Sequence, residues 1–378
     1  MIRVLIAEDS VTARELLVAM LDSDPDITVI GQARNGQEAV DMARRLRPDV
    51  MTMDINMPVC DGFEATKRIM SQNPLPIVIV SATIESGQVE NAMRALRMGA
   101  VMVLPKPPGP ASPAFARHRE ELVSAVKSMS QVKVVRLRGA RPQAAGPRRD
   151  PAAAGRSRGI VALAASTGGP VALERILSAL PADFPLPIVV VQHIADGFLA
   201  GMAAWLGTTS ALDIRVAAEG ETLLPGTVYL APDGRHLTVG KDFKARLLAA
   251  APEQGYRPSA TVLLRSVAQA CGADAIAVVL TGMGADGCEG ARDVRAAGGR
   301  VVVQDAATSV VFGMPKAVVD AGLAHAVLPL EALPNRILDL ALGRRLSGGV
   351  APGRRDDERP APTNAPIPSL FAEIKKVS

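Results

Sequence analysis

In the stretch GIVALAASTGGPVALERIL, residues 159 to 177, an apolar run ends at Ser166 and Thr167, followed by two glycines and a proline that begins a helical pattern. A bend of this kind either cradles a phosphate with backbone N–H groups or holds a serine at a sheet edge as a nucleophile. The spacings G-x-x-x-x-G-K-[ST] and G-x-G-x-x-G are both absent at 166 to 170, which weakens the phosphate reading. His193 closes a second apolar run, PIVVVQH, and Asp286 follows a third in LTGMGADG. Parallel strands bring their carboxyl ends to one edge, so these three side chains can meet there. The imidazole then takes the serine proton while the carboxylate fixes its tautomer. Gly168, Gly169, Gly282 and Gly284 allow backbone N–H groups close to a developing oxyanion, where one donor is worth about 3 kcal/mol. The order Ser, His, Asp and the lack of a G-x-S-x-G elbow separate this set from the α/β-hydrolase arrangement. Of the other histidines, His118 and His236 are expected to be structural or solvent-facing, and His325 has no serine or acid placed to partner it.

A second constellation lies in the first third of the chain. Glu8 and Asp9 end one apolar strand, Asp54 ends another, Ser81 a further one, and Lys106 sits between Pro105 and Pro107 just after the last. Three carboxylates packed together raise one another's pKa unless a cation neutralises them, and an all-oxygen ligand set suits Mg²⁺.

The elements that must position these groups alternate between short apolar strands and amphipathic helices. IRVLIA, ITVIG, DVMTMD, PIVIVS and AVMVLP are strands, with helices such as GQEAVDMARRL and QVENAMRALRM between them. GIVALAAS, LPIVVVQH, ADAIAVVLT and GRVVVQD repeat the pattern further on. Such alternation implies two α/β domains, each a doubly wound parallel sheet with helices on both faces. A period-two stretch from about Leu212 to Ala249, around the Pro-Asp-Gly of PGTVYLAPDGRHLTVG, predicts an antiparallel β-hairpin in the second domain. The boundaries expected are 1–129 and 159–346 for the domains, 130–158 for a flexible basic linker, and 347–378 for a disordered tail.

Bulk properties restrict the function. At 378 residues the chain suits two domains, given roughly 150 residues each. Its apolar runs fall short of the ~18 residues that span a bilayer, and MIRVLIAEDS lacks the apolar length of a signal peptide, so a cytoplasmic location without membrane insertion is expected. Cys60, Cys271 and Cys288 form no disulfide or zinc pattern. The net charge of +4 is concentrated in the linker, where eight Lys or Arg stand against one Asp between Gln131 and Arg158. With aromatics at 3%, the rest of the chain offers few base-stacking platforms, and no nucleic-acid partner is expected.

The motifs IAEDS, MDINMPVCDG, VSA and PKP resemble the receiver domain of two-component response regulators over nearly all of residues 1 to 130. That resemblance implies a flavodoxin-like receiver in which Asp54 accepts a phosphoryl group. Glu8, Asp9, Asp54 and the carbonyl of Asn56 would surround Mg²⁺, and Ser81 and Lys106 would contact the phosphoryl group. Val103 stands where receivers commonly carry Phe or Tyr, so a rotating aromatic switch is not expected.

ASTGGP, VVVQH, PGTVYLAP, RPSATVLLRSVA, VLTGMGADG and QDAATSVVFGMPKAVVDAG, in that order, resemble the catalytic domain of the chemotaxis protein-glutamate methylesterases. The resemblance implies a Rossmann-like esterase domain with Ser166 as nucleophile, His193 as general base and Asp286 as orienting acid. Thr167 would help to position His193, and the Met283 N–H would belong to the oxyanion hole. It further implies a glutamyl methyl ester on a methyl-accepting chemoreceptor as substrate, deamidation of particular glutamines, a chemotaxis histidine kinase as phosphodonor, a monomeric enzyme, and no cofactor for the ester step. Two positions depart from the family. Ala195 follows His193 by two where proline is frequent, and Tyr256 stands where histidine is common; both are expected on the receptor-facing surface. The domain pairing suggests that the receiver lies across the esterase cleft until Asp54 is phosphorylated. Other outputs to be distinguished are a partner-binding domain without turnover and a DNA-binding regulator, for which no helix-turn-helix pattern exists.

Overall fold

The computed structural model describes residues 1–81, 94–132 and 159–343. Residues 133–158 of the expected linker, the whole expected tail, and most of the helix read at QVENAMRALRM lie outside the described residues.

The first domain runs β1 (Ile2–Ala7), α1 (Val11–Asp22), β2 (Ile27–Ala33), α2 (Gly36–Leu46), β3 (Val50–Met53), α3 (Gly62–Gln72), β4 (Ile77–Ser81), β5 (Met102–Pro105) and α4 (Phe115–Met129). Its sheet has the order 2-1-3-4-5, and every pair is parallel. Val50–Met53 and Ile77–Ser81 are buried along their whole lengths, as strands covered by helices on both faces must be. Ser10, Asn35 and Asp61 cap the first three helices with their side chains, ending each strand-to-helix turn where a polar residue follows the apolar run. Strand order reverses between β1 and β3, which places Glu8, Asp9 and Asp54 at the crevice where such sheets bind ligands.

The second domain comprises β6 (Ile160–Ala165), α5 (Gly169–Ala179), β7 (Ile188–Gln192), α6 (Leu199–Thr209), β8 (Asp213–Val216), β9 (Thr227–Leu230), β10 (His236–Val239), β11 (Ala245–Leu248), α7 (Ala260–Cys271), β12 (Ala275–Val279), α8 (Cys288–Ala296), β13 (Arg300–Gln304), α9 (Met314–Asp320), β14 (Ala326–Leu328) and α10 (Leu333–Ala341). Seven strands form a parallel sheet in the order 14-13-12-6-7-9-8. Here the order reverses between β6 and β12, so the turns carrying Ser166 and Asp286 share one crevice.

The hairpin differs from the sequence expectation. Thr227–Leu230 does not pair across the Pro-Asp-Gly turn; it is a fully buried parallel strand of the main sheet. The antiparallel pair is instead β10 with β11, turning through residues 240–244. Burial on both faces explains the misreading, because TVYL must satisfy an apolar environment on each side while its alternation suggests only one. No helix among the described residues is long and apolar enough to cross a membrane.

The turn after β6 is closed by a tight approach. Gly168 adopts φ +76° and precedes α5, and Gly169 packs so closely on Gln192 that a Cβ there would overlap the Gln192 Oε1. The Gln192 amide donates to the carbonyls of both Ser166 and His193, at 2.8 Å each, and so ties the two strand ends together. Gly169→Ala is expected to cost about 1–3 kcal/mol by forcing this amide aside, measured as a lower urea midpoint at unchanged slope.

Candidate active site

Register places the two candidate residues Ser166 and His193 side by side. Ala165 of β6 pairs with Gln192 of β7, and the His193 N–H donates to the Ala165 carbonyl at 3.0 Å. Ser166 and His193 therefore leave adjacent strands at the same level. The Ser166 N–H is held by the Thr281 carbonyl at 3.1 Å, and the Thr281 hydroxyl donates to the Thr167 carbonyl at 2.9 Å. These bonds lash the β6 turn to the β12 turn that carries Gly282 to Asp286.

His193 and Asp286 meet directly. The imidazole Nε2 lies 3.0 Å from Asp286 Oδ2, and Nδ1 is buried without a partner among the described residues. Asp286 is 1% exposed and sits on the N-terminus of α7. It accepts from the Ser259 hydroxyl at 2.8 Å and from the N–H groups of Ala260 and Thr261 at 2.7 and 2.9 Å. Burial alone would raise its pKa. The bond and charge of His193, with the Thr261 and Ala260 N–H groups, outweigh that and bring it down to about 2. The carboxylate is thus fixed as an anion facing the imidazole.

Tyr256 stacks on His193, with ring centroids 4.4 Å apart and planes 9° from parallel. This partly exposed residue covers one face of the His193 ring. Its half-burial, and secondly the Asp286 charge, push the phenol above its usual pKa, so the ring stays neutral. The Ser166 hydroxyl makes no hydrogen bond among the described residues, a looseness common in substrate-free sites. The Met283 N–H likewise donates to nothing described, while the neighbouring Gly282 is bonded on both sides, its N–H to the Val311 carbonyl and its carbonyl to the N–H groups of Gly313 and Met314. Thr167 is buried in the same turn, and its hydroxyl makes no hydrogen bond to His193 or Asp286.

Among the other histidines, His118 bonds the Ala114 carbonyl and the His325 Nδ1 accepts from the Val301 N–H, both remote from this crevice in sequence and contacts. His236 is buried, so the solvent-facing alternative does not hold for it. Ser259, Thr261 and Gln192 were not singled out from sequence; only Ser259, a hydroxyl before a helical run, carries a readable signal, that of an N-cap.

The acidic crevice of the first domain is similarly assembled. Ligand oxygens of Glu8, Asp9 and Asp54 lie within 4.8 Å of one another. Lys106 Nζ reaches Asp54 Oδ2 at 3.0 Å and Glu8 Oε1 at 3.0 Å, and it lies 2.9 Å from Glu8 Oε2 without hydrogen-bond geometry. Burial raises the pKa of both Glu8 and Asp54. Burial also opposes the charge on Lys106, but its bonds to the two acids prevail and hold its pKa above the ordinary value. Closely spaced carboxylate oxygens, those of Glu8 and Asp54 buried and one of Glu8 lacking a hydrogen bond, fit a hard divalent cation. Ser81 is buried at the end of β4 and its carbonyl accepts from the Lys106 N–H; Asn56 is exposed beyond Asp54. Val103 is buried in the core.

Because its folded pKa lies below the ordinary aspartate value, Asp286 contributes stability in full above about pH 4, and that contribution is lost as pH falls through about 2. Its side-chain carboxyl ¹³C resonance is expected to keep the ionised shift at pH ~3.5, where a free aspartate is largely protonated. A protonated shift at that pH would contradict the helix-terminus account.

Residues 161–337 match the family described as CheB methylesterase, and residues 4–112 match the response regulator receiver domain. The chain is 53% identical over 352 residues to protein-glutamate methylesterase/protein-glutamine glutaminase 4 of Myxococcus xanthus, covering 92% of this chain and 99% of that protein. It is 52% identical to protein-glutamate methylesterase/protein-glutamine glutaminase 3 of Anaeromyxobacter dehalogenans, covering 89% and 98%. Among solved structures, the Thermotoga maritima CheB methylesterase catalytic domain is 41% identical, with 48% of this chain and 98% of that one covered and a TM-score of 0.47. With a receiver fold at its start, a serine, histidine and aspartate at the switch point of its second sheet, and relatives matched over nearly their full lengths, the chain belongs to the protein-glutamate methylesterase/protein-glutamine glutaminase family of response regulators.

Proposed function

We propose that this chain is a phosphorylation-activated serine esterase that hydrolyses glutamyl methyl esters on methyl-accepting chemoreceptors to glutamate and methanol, and deamidates particular glutamines. Ser166 Oγ attacks the ester carbonyl carbon while its proton passes to His193 Nδ1, the nitrogen left free by the Asp286 bond. The Met283 N–H receives the developing oxyanion, and Thr167 helps to hold the turn. Collapse expels methanol, which takes the proton from His193. Water, deprotonated by the same imidazole, then cleaves the glutamyl ester of Ser166 and returns the proton to the serine. The ester step uses side chains and backbone alone. The observation that carries this reading is the buried imidazole pinned by an anionic aspartate, with its other nitrogen unpaired beside the strand end that bears Ser166.

Regulation follows from the receiver. A chemotaxis histidine kinase supplies the phosphoryl group to Asp54; Glu8, Asp9, Asp54 and the Asn56 carbonyl would hold Mg²⁺, and Ser81 and Lys106 would contact the phosphoryl oxygens. The metal would offset negative charge on the transferring group. The enzyme acts in the cytoplasm as a monomer in this reading. Contacts between the domains support a covered resting state: the Arg97 guanidinium donates to Glu174 of α5 at 3.0 Å and lies 4.9 Å over the Trp205 ring of α6. Arg117 of α4 faces Asp196, three residues after the catalytic base, at 3.5 Å. Met283, Val310 and Val311 pack on the receiver's apolar cluster, whose members include Leu122 and Val126. Charge arriving at Asp54 displaces Lys106 from its two acids and loosens this cover.

Methanol release from methylated receptor membranes is expected to rise with acetyl phosphate and to vanish in Ser166→Ala; release by that variant would instead leave a receiver joined to a binding domain. Arg97→Ala is expected to raise turnover without acetyl phosphate about 2- to 5-fold, the worth of one exposed cation–π contact, and so to narrow the ratio between the two conditions.

A further inference from the structure

His236, on β10, is 1% exposed and makes two hydrogen bonds that fix its chemical form. Nε2 faces the Ala251 carbonyl at 3.1 Å, which can only accept, and Nδ1 faces the Ser259 N–H at 3.2 Å, which can only donate. The ring is therefore a neutral tautomer with hydrogen on Nε2 and a lone pair on Nδ1.

We infer that His236 is a positioning residue for ester hydrolysis, acting through Ser259 to set the N-terminus of α7 on which Asp286 rests; this builds on the proposed roles of Ser166, His193 and Asp286. Ser259 is fully buried and is the N-cap of α7, so its N–H has no partner within the helix. His236 supplies that partner. With its backbone fixed, Ser259 turns its hydroxyl toward Asp286 Oδ1 and accepts from the Val262 N–H, while the next two N–H groups also reach Asp286. Three of the four hydrogen bonds on the catalytic acid thus come from residues 259 to 261, and the first of these residues is held by the histidine. A missing acceptor would leave a buried N–H orphaned, and rotating the cap to recover a bond would move all three donors at once.

Asparagine and glutamine separate the two ring functions. In His236→Asn, the amide oxygen can replace Nδ1 as acceptor for Ser259. In His236→Gln, the amide nitrogen can replace Nε2 as donor to Ala251 and the Ser259 N–H loses its partner. In the full chain with acetyl phosphate and methylated receptor membranes, His236→Gln is expected to lower kcat about tenfold with KM within about twofold, and His236→Asn to recover most of the loss. Independently of turnover, the Asp286 carboxyl ¹³C titration should move upward in His236→Gln and stay near the parent value in His236→Asn. Equal loss in both variants with an unmoved Asp286 titration would reduce His236 to a structural residue, and an unchanged kcat in His236→Gln would also overturn the assignment. Failure of the triad itself would appear separately, as methanol release by Ser166→Ala.

Discussion

The contact on which the catalytic domain depends is the single hydrogen bond between the His193 imidazole and a carboxylate that this bond, together with a helix terminus, keeps anionic. Asp286 is nearly inaccessible to water, a setting that ordinarily favours the protonated acid. The bond and charge of His193 reverse this preference, aided by the α7 N–H groups, which are already oriented by the helix and need no reorganisation when charge shifts nearby. The same arrangement determines which imidazole nitrogen is committed to the acid and which remains for the serine. Packing at Tyr256 then limits the plane in which the ring can turn.

Both domains use one architectural device for different chemistry. Each parallel sheet reverses its strand order once near its middle, and each puts its reactive groups in the opening that results. In the first sheet, the opening collects acids and a lysine, whose mutual attraction accommodates charges that burial would otherwise disfavour. In the second, it collects a hydroxyl, an imidazole and closely packed glycine turns. The Gly282 carbonyl and N–H are fastened to residues 311 to 314, whose neighbours Val310 and Val311 also meet the receiver's apolar cluster. The Gly282 turn and the contact between the domains consequently share a mechanical support.

Much of this was legible along the chain because strand ends are legible. Apolar runs stop at Glu8, Asp54, Ser81, Ser166 and His193, and parallel pairing then brings these residues to common edges without long-range information. Groups that act through tertiary bonding were harder to read. Ser259 lies 27 residues from the aspartate it serves, and its N-cap role does not reveal that its hydroxyl also faces a buried acid. The stacking of Tyr256 was equally hidden, because nothing local indicates a partner 63 positions earlier in the chain. Thr227–Leu230 was misread for a different reason: alternation reports which side chains are polar, whereas only assembly decides whether one face or two are covered.

In the proposed mechanism, the use of Nε2 for the aspartate leaves the ring nitrogen nearest the main chain to serve the hydroxyl. A short lever of this kind has little sweep, so its reach is governed by where the backbones of β6 and β7 stand rather than by swinging of the ring. Hydrolysis would thereby serve as a gauge of alignment between two central strands: slippage by one residue would silence the enzyme even with every side chain present and the apolar interior intact.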